Sequence, residues 1–237
     1  MIKIDVLEDG YVGLVDVMGT DLSVANAARA SFQKASDSLT SKDIRLIHFL
    51  AREQHLSPFR HACISFEIKA PLMVARQWWK YVVGSDHTMD AWNEASRRYI
   101  TFEPEFYIPT TWRQAPDNKK QGSGDSAAAM QSLLFESKLR VIINQAMIEY
   151  NEALDKGIAP EMARLFLPAY AMHTVWRWSA SLQSIGHFLS QRLEDDAQFE
   201  IREYAHAVYD LVQPRFPHSI AALLGRDDVP RGAREGP

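Results

Sequence analysis

Between His61 and Lys69 the chain alternates without a break, with Ala62, Ile64, Phe66 and Ile68 on one side and Cys63, Ser65, Glu67 and Lys69 on the other. A period of two over this length is the pattern of a half-buried strand. Pro71 follows at once, a residue suited to the first turn of a helix because its missing N–H would have no partner there. The strand therefore leads directly into a helix, and whatever that helix carries is fixed relative to a sheet. It carries the start of the most chemically dense segment of the chain, Arg76 to Tyr99, reading RQWWKYVVGSDHTMDAWNEASRRY. At helical spacing Arg76, Trp79 and Lys80 share one face and Gln77 and Tyr81 the next, so two stripes of ligand-competent side chains point into one cleft. The same spacing would also serve an interface helix.

Asn93, Glu94, Ser96, Arg97, Arg98 and Tyr99 close the segment with donors, acceptors, two fixed cations and a hydroxyl. That set suits a phosphorylated, planar, polar ligand, because a guanidinium donates two parallel hydrogen bonds to phosphate and stays charged at any relevant pH. A solvated charged surface is the competing reading. Between Val83 and Trp92 the periodicity is lost at GSDHTMD, which reads as an inserted loop.

Composition narrows the function classes. At 237 residues, 46% hydrophobic and 24% charged, with a formal net charge of -4, the chain offers no electrostatic attraction to nucleic acid. Its length suffices for a sizeable core without cross-links, and the single cysteine, Cys63, cannot form an internal bridge. A reducing cytoplasm is the expected location: the start MIKID lacks a signal pattern, and no run approaches the roughly 18 apolar residues of a membrane span.

Elsewhere, Ile2 to Leu7 and Tyr11 to Val17 read as a hairpin around Glu8-Asp9-Gly10. Asp21 reads as the N-cap of a helix running to about Phe32, and Thr40 or Ser41 as the cap of one over Asp43 to His55. Gln114 to Asp125 has almost nothing apolar to bury and reads as a mobile stretch. From Ser126 a long helix is expected, closed by Gly157 in C-cap fashion. Pro160 opens a short helix over Glu161 to Phe166, and Ala171 to Leu193 and Asp196 to Val212 read as two further amphipathic helices. Glu194, Asp195 and Asp196 are placed to cap the last of these.

These segments, in order, resemble the flavin-dependent thymidylate synthase (ThyX) family. The likeness covers nearly the whole length: Asp9 to Arg29, Ser57-Pro58-Phe59-Arg60-His61, Lys69 to Trp78, the Asn93-Glu94-Ala95-Ser96-Arg97-Arg98-Tyr99 ending, Glu105 to Pro109, Ala163 to Pro168, and Arg192 followed by Ala197-Gln198-Phe199-Glu200-Ile201. It implies an α+β fold, with a mixed-sheet core flanked by long helices in one intertwined catalytic domain over 1–224 and a flexible tail over 225–237. It also implies a cytoplasmic homotetramer with active sites at subunit interfaces. The implied reaction converts dUMP to dTMP with methylenetetrahydrofolate as carbon donor, NADPH as reductant and bound FAD as cofactor. The family's dUMP contacts fall on Gln77, Trp78, Trp79, Lys80, Glu94, Ala95, Ser96, Arg97, Arg98, Arg164 and Arg192. Its FAD contacts fall on Ser57, Lys80, Tyr81, Val82, Glu94, Ser181, Leu182, Gln183 and His187. Arg192 matches the catalytic, substrate-activating arginine.

The residues accord with that chemistry. Adding a carbon at C5 of uracil pushes negative charge toward N3 and O4, which a cation stabilises. Cys63, mid-strand, suits a structural thiol better than a nucleophile, and Ser96 has no evident histidine and acid pair, so a route without a protein nucleophile is expected. The histidines show no spacing for a metal site. Trp176 and Trp178 are expected to pack rather than to stack on a ligand. No Gly-rich dinucleotide fingerprint is present, so FAD would be held by helix ends and side chains.

One departure stands out. The family pattern Arg-His-Arg followed by seven residues and Ser becomes Lys80-Tyr81-Val82 followed by thirteen. The bidentate fork and the titratable ring are lost, and the longer loop offers Asp86 and His87 as replacement contacts. Two other functions compete: a related flavoenzyme acting on another pyrimidine nucleotide or one-carbon group, and a non-catalytic nucleotide-binding oligomer.

Overall fold

The computed structural model describes residues 1–83, 90–96, 103–116 and 123–226, and of 82 and 83 only the backbone. The alternating segment forms β3 (Cys63–Pro71), the centre of a five-stranded sheet. β1 (Ile2–Val6) and β2 (Gly10–Met18) form the expected hairpin on one side of it, and β5 (His173–Ser181) and β4 (Ala91–Glu94) lie on the other, in the order β1-β2-β3-β5-β4. Each described pairing is antiparallel, so the α+β class holds while the sheet is not mixed in strand direction.

Ile64, Phe66, Ile68 and Ala70 of β3 share the buried sheet face with Val12 and Leu14 of β2 and Trp176, Trp178 and Ala180 of β5. The opposite face is polar: Tyr11 donates to Glu67 at 3.0 Å, Arg177 Nε donates to Glu67 at 3.1 Å, and the Ser65 and Ser179 hydroxyls meet at 2.7 Å. Gly10 is required where the hairpin turns, since a Cβ there would come within 1.8 Å of the Tyr204 hydroxyl, which itself donates to Lys69 O at 2.8 Å.

Three helices cover the apolar face: α3 (Leu72–Val83), α6 (Leu182–Arg192) and α7 (Phe199–Val212). Trp78 lies among them, stacked on Phe188 at 4.4 Å and edge-on to Trp176 and Trp178 at 5.5 and 5.4 Å. Each large apolar side chain fully buried in this layer contributes about 1.5–3 kcal/mol relative to exposure. A second group, α1 (Asp21–Arg29), α2 (Ser41–Arg52) and α8 (Pro217–Leu223), packs beside it. The long helix α4 (Ala129–Asp155) follows the polar stretch and ends where Gly157 adopts φ +80°. Short α5 (Pro160–Ala163) and a 3-10 turn, Arg164–Phe166, pack against it.

Several expectations are corrected. Ala171 to Leu193 is not one helix: His173–Ser181 is a strand, because Trp176, Trp178 and Ala180 alternate into the core before Leu182, Ile185 and Phe188 begin a helical repeat. Pro71 ends the strand rather than opening the helix. Thr40 caps α2 as read, accepting from Asp43 N, and that helix ends at Arg52. Thr20, not Asp21, is the N-cap of α1, and that helix gives way to a 3-10 turn, Ala30–Phe32. Asp21 instead reaches the start of α8 and accepts from His218 N at 3.0 Å and Ser219 N at 2.9 Å. Glu194, Asp195 and Asp196 do not cap α7, whose N-cap is Gln198. The ends of the polar stretch are tied, with Gln114 N donating to Asp125 O and Gly124 N to Gln114 O, each at 2.9 Å. Most of the 83–92 loop, with Asp86 and His87, and the tail beyond Arg226 lie outside the described residues. Among those described, no helix is long and apolar enough to cross a membrane.

Candidate active site

Because α3 continues β3 without a loop, strand register fixes which of its side chains face outward. Val74, Ala75, Trp78 and Tyr81 face the core, while Arg76, Trp79 and Lys80 are exposed and Gln77 is half-buried. Trp78, expected among the nucleotide contacts, is fully buried, so its indole serves the core and it presents no surface to a ligand in this protomer. Trp79 stays at the surface, edge-on to Trp92 at 5.2 Å, and Trp92 stacks on Trp176 at 4.6 Å. These contacts bring the exposed face of α3 beside β4, where Glu94 accepts from Thr174 at 2.9 Å and from Trp92 Nε1 at 3.3 Å. Ala95 N–H donates to Val175 O at 2.8 Å, so the polar motif begins as an extension of the sheet edge, with Ser96 next to it. Arg97 and Arg98 lie outside the described residues.

The last turn of α3 meets α6. Tyr81 lies 5.5 Å from the His187 ring and 5.3 Å from the guanidinium carbon of Arg192. Burial pushes the Tyr81 hydroxyl pKa up, and the Arg192 charge and hydrogen bond pull it partly back. Arg192 Nε is itself buried without a hydrogen-bond partner. A cavity of about 430 Å³ opens here, lined by Tyr81, Gln183, Ser184, His187 and Ser190, with Ala51, Gln54 and Leu56 opposite.

Of the remaining expected flavin contacts, Gln183 is oriented by Arg60, whose Nε donates to it at 2.7 Å. Ser181 accepts from Ser184 N at 3.2 Å as the cap of α6, and Leu182 is fully buried with its N–H bound to Ala62 O, so both are committed to structure. Ser57 is exposed at the head of a 3-10 turn, Ser57–His61, that packs on α6. Lys80 is exposed, and of Val82 only the backbone is described. Arg164 is exposed beside α4, its Nε donating to Glu161 O at 3.2 Å, with α4 and α5 rather than α6 as its helical neighbours. Within one protomer, Tyr81, Gln183, His187 and Arg192 come together and Arg164 stays apart.

A second polar cluster adjoins α3 and carries residues that no sequence pattern marked as functional. Glu200 of α7 is 2% exposed and accepts from Arg113 Nη2 at 2.7 and 2.8 Å, from Gln198 Nε2 at 2.8 Å and from the Tyr107 hydroxyl at 3.3 Å. Burial alone would raise its pKa, but the Arg113 and Gln198 hydrogen bonds hold it below the usual carboxylate range. Gln77 Nε2 in turn donates to Gln198 Oε1. The available signal was a glutamate on the apolar stripe of a helix, beside Ile201, Tyr204 and Val208.

Known proteins match this arrangement along almost its whole length. The family described as "Thymidylate synthase complementing protein" matches residues 13–218. A flavin-dependent thymidylate synthase of Thermus thermophilus is 38% identical over 222 residues, 94% of this chain and 78% of that protein. One from Thermotoga neapolitana is 36% identical over 222 residues, covering 94% of each chain. Among solved structures, a UMP/dUMP methylase, PolB from Streptomyces cacaoi, bound with 5-Br dUMP, superposes with a TM-score of 0.81 at 29% identity, covering 94% of this chain and 98% of that one. With that extent of match to sequence and fold, the chain belongs to the flavin-dependent thymidylate synthase family.

Proposed function

We propose that this protein methylates dUMP to dTMP in a flavin-dependent reaction, with methylenetetrahydrofolate as carbon donor and NADPH as reductant. The observation that carries the reading is the cluster at the junction of α3 and α6, where the Arg192 guanidinium lies over Tyr81, and Tyr81 in turn lines a polar, aromatic cavity. That lining fits a flavin: Tyr81 and His187 offer ring surfaces, and Gln183 and Ser190 offer hydrogen bonds to ring edges. When bound, the flavin supplies hydride chemistry that no protein side chain can.

The chain's own residues bind and polarise. Arg192 stabilises the negative charge that builds on the uracil ring as C5 becomes nucleophilic, and Tyr81 orients it. Glu94 and Ser96 hold the nucleotide from the sheet edge, with Arg97 and Arg98 on its phosphate. Cys63 takes no part: burial, with the Asp90 carboxylate adding to it, pushes its thiol pKa up, the opposite of what a nucleophile needs. This supports a route without a cysteine nucleophile.

The active form is read as a homotetramer of a single catalytic domain over residues 1–224. In support, α4 exposes Leu133, Leu134, Val141, Ile142 and Ile148 beside the equally exposed Leu165 and Phe166, an apolar surface uncommon on a lone protomer. Arg164 lies within it and would enter a neighbour's nucleotide site.

Anaerobic turnover of dUMP with NADPH, FAD and methylenetetrahydrofolate, followed by mass analysis, tests the reading. The expected product is heavier by one methylene unit; unchanged dUMP in a flavin-loaded preparation overturns it. A second reading, methylation of UMP as well as dUMP, draws on the likeness to PolB and on Lys80-Tyr81-Val82, and the same assay with UMP separates the two.

A further inference from the structure

Glu200 begins a series of hydrogen bonds whose direction chemistry dictates. Ionised, it accepts hydrogen bonds and donates none, and its contacts with Arg113 at 2.7 and 2.8 Å stabilise that ionised form despite burial. Gln198 must then turn its NH2 toward Glu200, 2.8 Å away, and its carbonyl oxygen toward Gln77. Gln77 answers with its own NH2. Reversing either amide would set two acceptors or two donors face to face, so the usual ambiguity of amide orientation is removed. The Gln77 amide keeps two groups over, its second N–H and its carbonyl oxygen, and the oxygen is the acceptor it offers. That oxygen has no partner among the described residues and sits on the half-buried flank of α3, one turn before Lys80 and Tyr81.

We propose that Glu200 and Gln198 are positioning residues that present Gln77 to the nucleotide as an acceptor, so that this contact selects for a hydrogen-bond donor on the ligand, a ring N–H or a sugar hydroxyl. The proposal rests on the nucleotide reading above and adds the polarity of one contact. An acceptor placed there, such as a phosphate oxygen or the unprotonated ring nitrogen of cytosine, meets repulsion. Polarity matters more than strength here, because a mismatched ligand leaves a fixed polar group opposed rather than merely unpaired.

Calorimetric binding of dUMP, dCMP and 2′,3′-dideoxyuridine monophosphate to the full chain tests this. The dCMP arm reports the ring N–H and the dideoxy arm the sugar hydroxyl. Wild-type protein is expected to prefer dUMP over at least one of them by about tenfold. Gln198→Met interrupts the series while sparing the Arg113–Glu200 pair, and Glu200→Gln lets the amides reverse; each should shrink that preference to about threefold or less. If Glu200→Gln does not fold, as judged by thermal melting, Gln198→Met decides alone. An unchanged ratio in Gln198→Met, an equal weakening of all three ligands, or a wild type indifferent to both analogues overturns the proposal. Failure of the wild type to bind any of the three would instead overturn the nucleotide reading beneath it.

Discussion

The guanidinium carbon of Arg192 lies 5.3 Å from the centre of the Tyr81 ring, so the arginine on α6 and one of the three residues on α3 that depart from the family pattern form one unit. An aromatic face beside a cation restrains it without neutralising it, leaving its charge for a developing anion. If Arg192 acts on the transition state, Arg192→Ala should lower kcat by about 10²–10³ while dUMP affinity changes by less than about tenfold. Tyr81→Phe keeps the ring and should cost only about tenfold or less in kcat. Steady-state kinetics with direct dUMP titration check both, and equal losses in kcat and affinity for Arg192→Ala would assign it to binding alone.

The edge of β5 supplies a pH dependence. His173 is 5% exposed, and neither ring nitrogen has a hydrogen-bond partner. Its pKa is lowered first by burial and then by Lys69, with Asp9 and Glu105 pulling the other way. The unfolded chain therefore takes up a proton near the ordinary histidine value of about 6.5, whereas the folded chain resists it. Stability is unaffected by this group above that value and falls as pH drops below it, by at most about 1.4 kcal/mol per pH unit. Urea melts between about pH 8 and about pH 5, the range in which histidine titrates, should show the midpoint declining on the acid side. His173→Phe should flatten that slope; an unaltered slope would move the effect elsewhere.

Asp21 joins chain segments far apart in sequence by capping α8 from the first turn of α1. Asp21→Ala strands two N–H groups, that of Ser219 buried and that of His218 partly so, and should cost about 1–2 kcal/mol. Thermal melting should register a fall of about 2–4 °C per kcal/mol for a chain of this size. Asp21→Asn, which keeps one acceptor oxygen, should lie between.

The apolar face of α4 predicts assembly. Val141 and Ile142 are 68% and 57% exposed in the protomer, so Val141→Glu with Ile142→Glu should leave helical circular dichroism intact. Light scattering coupled to size exclusion should show a smaller species, and turnover should fall with it if Arg164 serves a neighbouring site. An unaltered molar mass would place the subunit contacts elsewhere.

How far the sequence predicts this outcome depends on whether the signal is local. The β3 to α3 junction is legible because its period changes abruptly and its apolar positions all enter one core. β5 is not, since the alternating Trp176, Trp178 and Ala180 run straight into the helical Leu182, Ile185 and Phe188, and together they mimic one long amphipathic stretch. Gln183, His187 and Arg192 are named by family likeness alone and Tyr81 by helical spacing as well; their convergence is a matter of how α3 and α6 cross. Trp78 and Leu182 show the limit of such a transfer, because burial commits their side chains regardless of motif. The Arg113–Glu200 pair joins a polar stretch to the buried stripe of a helix across 87 positions, and no periodicity encodes that.

The indole cluster has an optical consequence. Trp78, Trp79, Trp92, Trp176 and Trp178, five of the chain's six tryptophans, connect through ring separations of 5.5 Å or less. Excitation absorbed by one passes readily to the next, and Trp79, at the solvent end, borders the proposed nucleotide cleft. Ultraviolet emission from this protein is thus dominated by one neighbourhood, and its colour and yield would report on occupancy there without any added label.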